Sequence, residues 1–108
     1  MSAIADCRLI GRWRIVEADL WSRSHLDLVQ PATLTVGGDG HGEIVFGALE
    51  AGLDIEYGIS VVFFTWAGFE EMDEMHGTGS AELQDDGSVE IEFAYHHGDE
   101  ATLKALPM

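Results

Sequence analysis

Apolar and polar side chains alternate with a period of two along most of this chain. In the clearest example, Val89, Ile91, Phe93 and Tyr95 alternate with glutamate, alanine and histidine. Successive side chains of a β-strand point to opposite faces of the sheet, so the pattern predicts strands with one buried and one exposed face. The same alternation recurs at residues 12–16, 33–36 and 53–57. The chain is therefore expected to be mainly β.

Glycine-rich turns separate these segments. Gly37-Gly38-Asp39-Gly40 and Asp85-Asp86-Gly87 supply residues that tolerate the positive φ angles of tight hairpins. Gly52 and Gly58 are expected to bracket a further strand. The sequence predicts eight strands, near residues 11–18, 32–37, 43–50, 53–57, 60–67, 74–84, 89–97 and 101–106.

One short helix is predicted between strands 1 and 2, at residues 22–29, where Pro31 would end it. An antiparallel meander of about eight strands commonly removes its free edges by closing on itself. The sequence shows no internal repeat, low-complexity segment or linker, so we predict a single domain spanning residues 1–108. This domain is an eight-stranded antiparallel meander closed into a small barrel, whose interior is just wide enough for side chains or one small ligand.

The segment 60–67, SVVFFTWA, departs from the alternation because both of its faces are apolar. A strand there would bury one face in the core and need cover on the other. Either the predicted helix or a second subunit would supply that cover. Two-fold self-association is the commonest oligomer, so a homodimer is expected.

The charge of the chain is strongly negative, with 20 acidic residues against 5 Lys and Arg and a formal net charge of -15. The basic residues are Arg8, Arg12, Arg14, Arg23 and Lys104, so none lies between residues 24 and 103. Nucleic-acid binding depends on Lys and Arg contacts to phosphates, and direct binding is therefore not expected. The acidity either serves solubility or faces a basic protein partner.

Patterns that carry catalytic or metal chemistry are weak. The single Cys7 has no metal-ligand spacing around it and is expected to be a buried or terminal thiol without a role. Residues 70–76 and 39–43 combine acids with a histidine but fit hairpin tips better than metal sites, so no metal and no cofactor are predicted. At 95–100, strand parity would point His97 inward and His96 outward. An inward His97 could line a pocket mouth or, with carboxylates such as Glu71 or Asp99, act as an acid or base.

The aromatic residues at inward positions form the candidate ligand site. A pocket for a small apolar ligand typically combines such rings with a few polar groups, but the same rings would equally fill a core. The candidate lining comprises Trp13, Tyr57, Phe64, Trp66, Tyr95 and His97, together with Phe46 and Phe93.

The Gly11-x-Trp13 pattern after Leu9-Ile10 resembles the start of lipocalin-like barrels. In those proteins the tryptophan closes one barrel end, and a basic side chain of the last strand packs across its ring. The resemblance implies that Trp13 and Lys104 play these two structural roles here.

A second resemblance covers nearly the whole chain. GRWRIVEADLW and the segments that follow it are similar to a family of short uncharacterised bacterial proteins. That resemblance implies a bacterial source and no particular activity. No apolar run approaches the roughly 20 residues of a membrane span, and the first residues lack a signal-peptide pattern, so a cytoplasmic protein that does not contact membranes is expected.

Three functions remain open from the sequence. The first is a non-catalytic binding module for a small apolar ligand or a protein partner. The second is an acidic inhibitor or antitoxin-like protein that masks a basic nucleic-acid-binding surface. The third is an enzyme that uses His97 with carboxylates.

Overall fold

The computed structural model describes residues 7–19, 26–27 and 30–108, and over these residues the chain forms eight antiparallel strands. Each strand pairs with the next along the chain, and β8 also pairs with β1, so the sheet is a closed barrel. The predicted meander and its closure are confirmed. Apart from residues 26 and 27, the predicted helix at 22–29 lies outside the described residues. The strands are β1 (Gly11–Ala18), β2 (Thr33–Val36), β3 (His41–Phe46), β4 (Leu49–Tyr57), β5 (Val61–Glu70), β6 (Asp73–Leu83), β7 (Val89–Tyr95) and β8 (Glu100–Pro107).

The alternating pattern produces the two faces of the barrel wall. In β4, Leu53 and Ile55 are buried while Asp54 and Glu56 are exposed. The buried faces of all eight strands meet in one apolar core. Burial of these alternate side chains is what selects the register of each strand, because a slip by one residue would turn every apolar side chain to the solvent.

The turn between β3 and β4 differs from the prediction. The sequence predicts a break near Gly52, whereas the strands meet at a turn over Gly47 and Ala48. Gly47 has a φ of 58°, which glycine adopts without a steric penalty. Gly52 lies inside β4, opposite Ala67 of β5. The presence of a glycine therefore does not by itself mark a turn. The turn lies at the glycine whose backbone has a positive φ.

The hairpin between β5 and β6 turns at Glu71 and Met72, which have φ angles of 50° and 77°. Positive φ at both central residues belongs to the turn type that matches the twist of a two-residue hairpin. The predicted hairpin tip is therefore confirmed at residues 70–73, whereas residues 74–76 of the acidic segment are paired residues of β6.

Residues 7–9 cross one end of the barrel. The amide of Arg8 donates to the carbonyl of Ile59, in the turn between β4 and β5, at 2.7 Å. Trp13 Nε1, at the start of β1, donates to the carbonyl of Leu9 at 2.9 Å. Leu9 is fully buried, and Cys7 is a buried free thiol, as expected. Trp13 therefore closes this end together with Leu9.

Leu26 and Asp27 lie at the opposite end. The carbonyl of Leu26, a fully buried residue, accepts from the amide of Gly47 at 2.7 Å. Asp27 accepts from Arg14 Nη2 at 2.7 Å and from the amide of Ala32 at 3.0 Å. Arg14 points out of the barrel, and its ion pair with Asp27 holds this segment against the wall.

Lys104 does not pack across Trp13, and this implication of the lipocalin resemblance is wrong. Trp13 points into the barrel and pairs with Pro107. Lys104 alternates with buried neighbours in β8, so it points outward, where it lies opposite Glu17 of β1 and Glu90 of β7. The parity of β8 places the two side chains on opposite sides of the wall.

Candidate functional site

The barrel interior is packed with aromatic rings around Phe93. Trp66 stacks on Phe93 with ring centroids 4.5 Å apart, and Phe46 meets it edge-on at 5.2 Å. Tyr95 also meets it edge-on at 5.5 Å, and Phe64 lies at 6.4 Å. Rings at these distances and angles make the contacts of a close-packed core.

Two glycines of β6 make room for these rings. A Cβ at Gly79 would come within 2.6 Å of the Phe64 ring, and one at Gly77 within 2.9 Å of Trp66 Nε1. Without that Cβ, Trp66 Nε1 passes over Gly77 and donates to the carbonyl of Ala94 at 3.1 Å. The space that a small ligand would need at this level of the barrel is occupied by the rings of the protein itself.

The predicted lining residues do not converge on one pocket mouth. Trp13 and Tyr57 lie at the end crossed by residues 7–9, where the Tyr57 hydroxyl donates to the carbonyl of Gly37 and accepts from the amide of Gly40 at 3.0 Å. Tyr95 and His97 lie at the opposite end, where β7 stops and the turn to β8 begins. Three of the six are buried (Trp13, Phe64 and Trp66), two are half-buried (Tyr57 and Tyr95), and His97 is exposed.

The prediction that His97 faces inward is wrong. β7 ends at Tyr95, and the amide of Gly98 donates to the carbonyl of Tyr95 at 3.0 Å to form the turn before β8. His97 sits in that turn with a φ of 56°, so the inward-outward alternation no longer applies to it.

Tyr95 lies at the rim of the barrel, where its hydroxyl donates to Glu70 Oε1 at 3.2 Å. Burial, and then the negative charge of Glu70, raise the pKa of Tyr95 above its ordinary value. Both causes favour the neutral phenol, so Tyr95 is a donor that holds the Glu70 carboxylate across β5 and β7.

This pKa shift predicts a loss of stability at alkaline pH. The pKa of Tyr95 is higher in the folded than in the unfolded chain, so the neutral phenol stabilises the fold. This contribution to the free energy of unfolding is complete below the unfolded pKa of about 10 and is lost progressively as the pH rises above that value. We expect the free energy of unfolding in urea to fall less between about pH 8 and pH 10.5 in Tyr95→Phe than in the parent protein. Equal losses in the two proteins would contradict the assignment.

Three histidines meet on the outer surface near the same rim. The rings of His76 and His96 are stacked at 4.5 Å, and those of His96 and His97 lie 4.0 Å apart. Repulsion from His97, then burial, then repulsion from His76 lower the pKa of His96. His76 lies on β6, 20 residues before His96 in the chain, so the sequence pattern does not show that the three rings meet. Among the described residues no group of three or more His, Cys, Asp or Glu is arranged to hold a metal ion.

The histidine cluster predicts a coupled titration. Replacing His97 by alanine removes the largest cause of the shift, so the pKa of His96 should rise toward its ordinary value near 6.5. Ring proton chemical shifts recorded against pH measure this directly. His76→Ala is the matched comparison and should raise the pKa of His96 by less. An unchanged pKa of His96 in the His97→Ala variant would contradict the coupling.

The outward side chains of β5 form an apolar row on the barrel surface. We call Val61, Phe63, Thr65, Ala67 and Phe69 the β5 face. The Phe63 and Phe69 side chains are 58% and 57% exposed. The two apolar faces of residues 60–67 predict that the outward face of this strand needs cover. No described residue covers Phe63 and Phe69, and most of the predicted helix at 22–29 lies outside the described residues, so the helix and the second-subunit alternatives both stay predictions.

Carboxylates line both sides of the β5 face. Phe63 lies opposite Glu56 of β4, and Phe69 lies between Glu50 of β4 and Glu74 of β6. All three glutamates are exposed. We call the outward acids of these two neighbouring strands the flanking acids; they are Glu50, Asp54, Glu56, Glu74 and Glu82.

The cations of the described residues lie elsewhere. Arg12 and Arg14 are on β1, Lys104 is on β8, and Arg8 precedes the barrel. Arg14 is held by Asp27, and Lys104 lies among acids of β1 and β7. The β3 to β7 wall, including the β5 face, therefore carries acids without Lys or Arg.

No family model, curated protein or solved structure matches this chain. The resemblances to lipocalin-like barrels and to short bacterial proteins therefore stay predictions. Among the described residues, no helix is long and apolar enough to span a membrane.

Proposed function

We propose that this protein is a non-catalytic binding module whose partner is a protein with a basic surface. The observation that carries the proposal is the separation of charge around the barrel. From residue 27 to residue 100 the chain has 17 acids and neither Lys nor Arg, and β2 to β7 lie within that range. Such a surface attracts a basic partner and repels other acidic proteins and nucleic acids.

The packed interior favours a protein partner over a small apolar ligand. A ligand inside the barrel would have to displace Phe93 or the rings stacked on it. Clefts on the outer wall, in contrast, are accessible without any rearrangement, and one of them has a volume of about 630 Å³ with Asp19, Glu92 and Glu100 in its lining. Binding on the wall leaves the core intact.

A basic partner surface is also the kind of surface that binds nucleic-acid phosphates. By covering it, the acidic barrel would act as an inhibitor of a nucleic-acid-binding protein. Inhibition of a nucleic-acid-binding protein is thus the more specific version of the proposed binding function.

Isolation of the native complex tests the proposal. The protein is purified from its source cells at about 50 mM salt and weighed by native mass spectrometry, then again after exposure to about 500 mM salt. We expect a stoichiometric complex with a protein of basic composition that dissociates at the higher salt. A bound small molecule, or a complex whose stability does not depend on salt, would contradict the proposal.

A further inference from the structure

We propose that the β5 face docks a basic amphipathic helix of the partner protein. This inference rests on the proposed function and deepens it, because it names the surface and the shape of the segment that binds there. The partner helix would place an apolar stripe on Phe63 and Phe69 and its lysines or arginines over the flanking acids.

The length of the apolar row suits a short helix. Phe63 and Phe69 are six residues apart on β5, which spans about 20 Å at roughly 3.3 Å per residue. A helix of about 14 residues covers the same distance at 1.5 Å per residue. Phe63 and Phe69 are both exposed, and aromatic side chains are enriched in protein interfaces.

The spacing of the charges suits the width of a helix. β4 and β6 lie on the two sides of β5, so the flanking acids form two rows about 10 Å apart, given strand spacings near 4.8 Å. A helix with its side chains is about 10–12 Å in diameter, so basic residues on both sides of its apolar stripe would meet these two rows.

The small side chains between the aromatics allow a helix to approach closely. Thr65 and Ala67 lie between Phe63 and Phe69, and Gly52 faces outward beside Ala67. A Cβ added at Gly52 would meet no atom within 4 Å, which shows open space above the wall there. A cleft of about 370 Å³ over Gly52, Thr65 and Ala67 lies at this position. The face is therefore a shallow saddle between two aromatic ends.

The closed sheet excludes the main alternative mode of recognition. A partner strand can add only to a sheet with a free edge, and in this barrel each strand pairs on both sides. The segment must therefore pack on the face of the wall, as an amphipathic helix does.

A second copy of the chain fits the β5 face poorly. Two copies related by a two-fold axis would bring the flanking acids of both against each other, without a Lys or Arg on either wall. Like charges placed together across an interface are strongly unfavourable, whereas a basic segment neutralises them. The homodimer expected from the sequence is thus an outcome that the test must distinguish.

A designed peptide provides the probe. It has about 14 residues, with leucines at helical 3-4 spacing and lysines at the other positions. We expect saturable binding by calorimetry or fluorescence anisotropy at about 50 mM salt, weakened at about 300 mM. A peptide with glutamates in place of the lysines, and a peptide of the same composition without the apolar stripe, should bind at least about tenfold more weakly.

Variants of the protein locate the contact. Phe63→Thr combined with Phe69→Thr keeps side chains suited to a strand and should weaken binding at least about tenfold. Leu106→Thr, which alters an exposed apolar side chain on β8, is the matched control and should leave binding unchanged.

A second pair of variants tests the charges. Glu56→Gln with Glu74→Gln should weaken binding about threefold to tenfold at low salt. The matched control removes one exposed acid of the β6–β7 turn and one of β1, neither of them paired with a residue of β5, by Asp85→Asn with Glu17→Gln, and should have a smaller effect.

The outcomes separate this inference from the proposed function. A native complex that forms equally well with the Phe63→Thr/Phe69→Thr variant would overturn the β5 face and leave the proposed function standing. The inference would also be overturned if the wild-type chain did not bind the lysine peptide, or if it dimerised through Phe63 and Phe69. Failure of the native complex to contain a basic protein would remove the proposed function itself.

Discussion

Replacing Phe93 by alanine is expected to lower the free energy of unfolding by about 3–5 kcal/mol. Phe93 is almost fully buried, and four aromatic rings contact it or lie within 6.4 Å of it. Alanine would remove the hydrophobic contribution of the ring and leave a cavity that the closed wall can fill only in part. Such a loss is a large fraction of the roughly 5–15 kcal/mol that stabilises a domain of this size.

Urea unfolding followed by tryptophan fluorescence measures this change, with Phe63→Ala as the matched control. Phe63 is likewise a phenylalanine of a barrel strand, but it faces the solvent. Replacing it by alanine should change the free energy of unfolding by no more than about 0.5 kcal/mol. If Phe93→Ala were as mild as Phe63→Ala, the interior would be loosely packed, and a ligand cavity would become the better interpretation.

The second large effect is expected for Gly77→Ala. A Cβ at Gly77 would lie 1.9 Å from the carbonyl oxygen of Ala94 and 2.9 Å from Trp66 Nε1. The backbone contact cannot be relieved by a rotamer change, so β6 and β7 would have to separate and the hydrogen bond from Trp66 to Ala94 would be disturbed. Overpacking of this kind costs about 1–3 kcal/mol or more.

Gly52→Ala is the control for this substitution. Gly52 also lies inside a strand, but its Cβ would point into open space. Removing a glycine there restricts the unfolded chain, so we expect Gly52→Ala to be neutral or to stabilise by up to about 1 kcal/mol. Thermal unfolding of the two variants should give a lower midpoint for Gly77→Ala than for Gly52→Ala. Similar midpoints for both would show that the rings do not need the space above Gly77.

The fold was predictable because burial selects a period of two. The strand that contains Val89, Ile91, Phe93 and Tyr95 is predicted from its alternation, and the glycine turns at 37–40 and 85–87 mark the β2–β3 and β6–β7 hairpins. The turn at Gly47 and Ala48 was missed because one glycine next to a small apolar residue resembles strand sequence. Only its positive φ angle distinguishes it from a glycine such as Gly52.

The candidate site was less predictable because side-chain direction depends on where a strand ends. His97 was placed inward by counting two residues beyond Tyr95, but the turn before β8 begins at that point. The β5 face was anticipated in part, from the two apolar faces of residues 60–67. Phe69 was missed because β5 continues to Glu70, beyond the apolar run.

The flanking acids could not be assigned from the sequence either. Glu50 and Glu74 are 24 residues apart in the chain, and only the registers of β4 and β6 with β5 place them on the two sides of Phe69. Non-local pairing of this kind leaves no local pattern to detect.

Fluorine NMR of the chain labelled with fluorophenylalanine tests the central claim most directly, namely that binding uses the wall and not the interior. The five phenylalanines divide into two on the β5 face, Phe63 and Phe69, and three in the core, Phe46, Phe64 and Phe93. On titration with the lysine peptide, the two resonances of the β5 face should shift while the three core resonances remain in place. Core resonances that shift when a fatty acid is added, with Phe63 and Phe69 unaffected by the peptide, would contradict the account.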